Sequence, residues 1–121
     1  DNSWSVRGQL LRRLYAGNHV AKLQTRTIAD VLEAHHAPNV IDYVSLDVEG
    51  AEERIVRSFP FSRHRVLALT VERPTPVIHD VLTRADLILV RQHFNDGFYL
   101  HSTMLETNHQ PLTPVFTRKK F

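Results

Sequence analysis

The sequence predicts an α/β fold: a partial Rossmann-like arrangement with a mostly parallel sheet and a C-terminal antiparallel hairpin. Three observations predict it. Short apolar runs of strand length (VIDYVSLDV, RVLALTVE and LILVR) alternate with stretches of helical period. These runs are too continuous for strands with one solvated face. Finally, Asn95-Asp96-Gly97 is a hairpin signal, and residues 98–101 follow it as a returning strand.

Each element has its own reason. In residues 1–17, Val6, Leu10, Leu11 and Leu14 stand at helical spacing, with Gly17 and Asn18 as a stop. Trp4 reads as a packed aromatic. Residues 19–24 alternate weakly and predict a short strand. Thr27 opens a helix, because Thr27 and Asp30 form a capping-box-like pair with aspartate in place of glutamate. Ile28, Val31, Leu32 and His35 line one face of it. His35 and His36 are adjacent, so on a helix they point in different directions, and they read as a helix end rather than a ligand pair.

The unit around which the chain is organised spans residues 40–59. Val40, Ile41, Val44, Leu46 and Val48 form a buried strand; Asp47 and Glu49 stand at its end; Gly50 breaks it; a helix over about 51–58 follows. Strand, acidic turn and helix place functional groups at the carboxyl edge of a sheet, where ligands of α/β proteins bind. Residues two apart on a strand sit about 6–7 Å apart. Two carboxylates at that distance repel by about 2 kcal/mol at an effective dielectric of ~20. A cation, hydrogen-bond donors or water must offset that. The structural alternative is that solvent, or the free N–H groups opening the helix, satisfies both acids. Glu53 is explained by the helix dipole and solvent.

Residues 65–72 form a second buried strand ending in Glu72, before Arg73-Pro74-Thr75-Pro76. Neighbouring parallel strands would align Asp47, Glu49 and Glu72 along one rim. A strand-end ion pair of Glu72 with Arg73 or Arg65 is the alternative. Residues 77–85 predict a helix with Ile78, Val81, Leu82 and Ala85 inward and His79 on the surface. Residues 87–91 are a third strand. Beyond Ser102, Pro111 and Pro114 predict loop or an edge segment.

Composition narrows the function. A chain of 121 residues fits one domain over 1–121, and 42% hydrophobic against 23% charged residues is globular rather than disordered. No apolar run approaches the length of a membrane span, so no membrane partner is expected. Cysteine is absent, which removes disulfides and thiolate metal sites and leaves the compartment open. Net charge is +2 and the twelve arginines are scattered, so no nucleic-acid partner is expected. The four glycines are unclustered, which disfavours a phosphate-cradling loop. There is no Gly-x-Ser-x-Gly elbow. An acidic rim instead favours a sulfonium, an amine, a ribose or a hard cation such as Mg²⁺.

The phrase IDYVSLDVEGAEERIV resembles the signature of FkbM-type S-adenosylmethionine-dependent methyltransferases. Thr27-Ile28-Ala29-Asp30 and Thr70-Val71-Glu72 resemble the flanking features, and the likeness covers about residues 23–101. The resemblance implies a class I methyltransferase fold, S-adenosylmethionine as cofactor, and O-methylation of a small-molecule or sugar hydroxyl. It places Asp47 and Glu49 as catalytic residues, Asp47 and Gly50 at the cofactor, and Glu52 and Glu72 at the substrate. The family's glycine-rich loop and second-strand acid are not in this sequence, so the chain resembles the C-terminal half of the fold. The start without methionine also reads as a fragment. A half-sheet would leave its first strand's edge open to self-association. Two further readings stand beside the methyltransferase: a non-catalytic interaction module, and an enzyme binding a metal through Asp47, Glu49 and Glu72.

Overall fold

The structure is a computed structural model that describes residues 23–116. The helix expected over 1–17, Trp4, most of the strand expected over 19–24 and the last five residues lie outside the described residues; Leu23 and Gln24 are not in a strand. The elements run α1 (Ile28–Ala34), β1 (Val40–Leu46), α2 (Glu52–Ser58), β2 (Arg65–Glu72), α3 (Pro76–Arg84), β3 (Leu87–His93) and β4 (Asp96–His101), then a single 3₁₀ turn (Ser102–Met104).

Local chemistry sets the helix ends. Thr27 caps α1 in a full capping box: its hydroxyl accepts from the Asp30 N–H, and the Asp30 carboxylate accepts from the Thr27 N–H. His35 closes α1, and His36 turns the chain at φ 52, the left-handed position that commonly follows a helix. Thr75 caps α3 by accepting from the Ile78 N–H, and Pro76 sits at the first helical position, where no N–H is needed.

The sheet order is β1-β2-β4-β3. β1 and β2 pair in parallel; β4 pairs antiparallel with both β2 and β3. This corrects the expectation of a mostly parallel sheet, since two of the three ladders are antiparallel. The reason is that β4 does not hang on the outer edge of the hairpin. It folds back between β2 and β3, so that β3 shares the direction of β1 and β2 without pairing with either. The hairpin turn also sits one step earlier than expected. His93 pairs with Asp96, so Phe94 and Asn95 form the two-residue loop, with Phe94 at φ 50.

The core lies between one sheet face and the helices α2 and α3, which pack side by side. Leu69 and Val71 of β2, Leu87 and Leu89 of β3, and Tyr99 of β4 alternate onto that face and meet Val56, Ile78 and Leu82. Each such side chain removed from water contributes about 1.5–3 kcal/mol. Tyr99 is 1% exposed, and burial pushes its phenol up to about 12. Its hydroxyl bonds His79 Nδ1 at 3.1 Å, so His79 is half-buried rather than a surface residue, and desolvation lowers its pKa. Gly97 of β4 is packed tightly between Pro74 and Tyr99. A Cβ there would stand 3.0 Å from Pro74 Cγ and 3.0 Å from Tyr99 Cε2.

Candidate functional site

β1 and β2 end side by side because they are parallel and in register, with Leu46 opposite Val71. The residues that follow each strand therefore share one rim. There the Asp47, Glu49 and Glu72 carboxylates converge: one oxygen from each lies within 4.8 Å of the others. Asp47 and Glu49 are exposed, and Glu72 is half-buried.

The way this convergence arises differs from the sequence expectation. β1 stops at Leu46, so Asp47 and Glu49 are not alternate positions on a strand. They are carried by a tight loop in which Glu49 has φ 57 and Gly50 φ 112. Only a glycine takes the second of these values readily. Glu52 fixes the loop. It is 7% exposed, and its carboxylate accepts from the Val48 N–H at 2.9 Å and the Gly50 N–H at 2.9 Å. A buried carboxylate satisfied by backbone N–H groups is a strong local clamp. The Glu52 side chain is thus directed back onto the acidic loop. Nothing in the sequence announced this, because a glutamate in the first turn of a helix is equally well explained by the dipole.

The end of β2 is shaped in the same manner. Arg73 has φ 48, and its N–H donates to the Asn95 carbonyl of the β3–β4 turn at 2.6 Å. Of the five non-glycine residues with positive φ among the described residues, three (Glu49, Arg73 and Phe94) stand on this rim; the other two, His36 and Asp86, follow helix ends. Sparsely populated backbone conformations held by surrounding structure gather at functional edges. Glu53 links the two halves of the rim by accepting from the Thr75 hydroxyl at 3.2 Å, while its other oxygen meets Arg57 at 3.1 Å.

The electrostatics follow from the packing. Partial burial raises the Glu72 pKa; the Arg73 guanidinium, 3.3 Å away, pulls it down; the Asp47 charge, a hydrogen bond shared with Asp47, and the Glu49 charge all push it up. The net direction is up. The ion pair with Arg73 weighed from the sequence is present, whereas Arg65 starts β2 and lies at the far end of the sheet. The structure brings together Asp47, Glu49, Gly50 and Glu72, and it places Glu52 beneath them. Three carboxylates against one guanidinium leave the rim negative.

A sequence profile of the methyltransferase FkbM domain matches residues 3–106. The chain belongs to the FkbM methyltransferase domain family. No curated protein and no solved structure matches it. Membership of this methyltransferase family brings with it a methyl-donor cofactor in general terms. The FkbM-like chain carries its signature acids on the rim just described, at the junction of β1 and α2.

Proposed function

We propose that this chain serves S-adenosylmethionine-dependent O-methylation of a small-molecule or sugar hydroxyl, with Asp47 and Glu49 at the reacting atoms. The observation that supports this most is the convergence of three carboxylates on one rim of a methyltransferase-family domain. A negative rim complements a sulfonium and accepts hydrogen bonds from hydroxyl groups, so the donor set fits such a cofactor on that side. S-adenosylmethionine, when bound, supplies an electrophilic methyl group.

In this reading the chain's own residues position and deprotonate. Asp47 and Glu49 accept hydrogen bonds from the acceptor hydroxyl and hold its oxygen in line, which is the larger part of the task in a transfer between two bound molecules. As the oxygen gains the methyl group its proton must leave, and one of these carboxylates takes it. Asp47 also faces the cofactor, and the Gly50 backbone lets it approach closely. Glu72 lines the acceptor side. Glu52, assigned to substrate by the signature, acts here as a positioning residue through the loop it holds.

Calorimetric titration with S-adenosylmethionine tests the proposal. Heat of binding in the wild-type chain that disappears in D47N/E49Q supports it. No heat at millimolar cofactor, with the protein folded, rules out autonomous catalysis and favours the non-catalytic module. The same convergence of oxygens favours a second reading, a hard divalent cation at Asp47, Glu49 and Glu72. That reading requires Mg²⁺ or Mn²⁺ to raise the melting temperature, and an unchanged temperature removes it.

A further inference from the structure

The opposite rim of the sheet carries a second feature of the reverse sign. Two cavities of about 440 Å³ and about 570 Å³ open there and share Phe61, Ser62 and Arg65 in their walls. One adds Arg63, and the other adds Arg84, Asp86 and His101. Three arginines against two aspartates, Asp86 in the wall and Asp80 beside Arg84, leave an excess of one positive charge.

The groups are available and the floor is built. Among the described residues nothing pairs with the Arg63 or Arg65 guanidinium or with the Ser62 hydroxyl; Arg84 alone meets a carboxylate, Asp80 at 2.8 Å. The turn that carries them is fixed by backbone bonds: Arg63 N–H and His64 N–H to the Pro60 carbonyl, and Arg65 N–H to the Asn39 carbonyl at 2.7 Å. His64, 8% exposed, donates from Nδ1 to the Pro38 carbonyl at 2.8 Å and ties the turn to the approach of β1. His101, also 8% exposed, accepts at Nδ1 from the Thr103 N–H.

We propose that this groove is a binding site for a phosphate-bearing ligand. Arginine forks match the geometry of phosphate oxygens, and a phosphate dianion needs more than one of them. The cavities are large enough for a phosphate together with part of the group that bears it. The site is separate from the acidic rim: Arg65 and Glu72 are the two ends of β2, seven residue steps or about 23 Å apart. One small acceptor cannot span both, so the groove acts as an anchoring or regulatory site.

Thermal melting of the full chain with millimolar pyrophosphate, compared with an equal ionic strength of chloride, tests this. Wild type is expected to gain several degrees from pyrophosphate and R63Q/R65Q to gain none, with its own baseline melting temperature unchanged. Equal gains in both proteins, or no gain in either, overturn the proposal. If R63Q/R65Q melts differently by itself, two-dimensional NMR of the wild type decides. Pyrophosphate-dependent shifts at the 61–65 turn and at His101 support the site, and shifts confined elsewhere overturn it. Pelleting with vesicles containing phosphatidic acid separates the sources: arginine-dependent co-sedimentation identifies a lipid headgroup as the phosphate carrier. A soluble response without co-sedimentation identifies a free phosphate ester. Because these variants lie at the far end of β2, their failure leaves the reading of the acidic rim untouched, and the reverse holds too.

Discussion

At the residue scale, Glu72 and Glu52 show how alike two glutamates look in sequence and how differently they behave. Glu72 has its folded-state pKa raised above the ordinary 4.5 by burial and by Asp47 and Glu49. Between 4.5 and that raised value the folded state binds more protons than the unfolded one, so stability falls as pH rises through the window. Glu72→Gln removes this loss. Its melting temperature should exceed that of wild type at neutral pH, and the gain should vanish below pH 4.5; a gain independent of pH would disprove the cause. Glu52 has the opposite role. Its removal leaves the Val48 and Gly50 N–H groups without their acceptor. Glu52→Ala should cost about 1–3 kcal/mol in urea denaturation. A neutral substitution would mean that the loop holds itself.

At the scale of elements, what the sequence revealed and what it hid divide along a physical line. Val66, Leu69 and Val71 in β2, and Leu87 and Leu89 in β3, are local apolar signals, and they announced their strands. The capping residue Thr27 likewise acts within three positions of itself, whereas the Thr75 cap, read from sequence only as part of the stop after β2, emerged with the structure. The insertion of β4 between β2 and β3 was not legible, because strand order depends on contacts between residues such as Leu69 and Tyr99, which lie thirty positions apart. The turn was misplaced for a related reason. Asp96-Gly97 has the composition of a hairpin loop, but Gly97 is required inside the strand, where Pro74 and Tyr99 leave no room for a Cβ. Gly97→Val should therefore cost about 1–3 kcal/mol by overpacking, read as a lowered denaturation midpoint. Wild-type stability in that variant would mean that Pro74 yields.

At the scale of the whole molecule, the sheet is polarised. Its carboxyl rim gathers Asp47, Glu49 and Glu72, and its amino rim gathers Arg63, Arg65 and Arg84. The acidic rim was legible because two of its members are two residues apart and the third ends the next strand. The basic groove was not, because its arginines come from a turn, a strand start and a helix end. The sheet also has an unequal pair of edges. The segment after β4 runs beside β3, with the Leu112 N–H bonded to the Leu89 carbonyl and Val115 bonded to the Gln92 side chain. Among the described residues no strand pairs with the outer edge of β1, where Val40 and Tyr43 are 44% and 56% exposed. An edge with one aspartate and no lysine or proline is poorly protected against pairing with a second chain. Sedimentation velocity should show concentration-dependent association that Tyr43→Lys suppresses. A monomer at all concentrations would exclude this edge as an interface.

The assignment of the acidic rim is tested most directly by two-dimensional NMR of the labelled chain during titration with S-adenosylmethionine. Shifts should concentrate at the amides of residues 47–50 and 72–73 and should be lost in D47N/E49Q. Shifts that leave those amides unmoved, or that persist unchanged in the double variant, would contradict it.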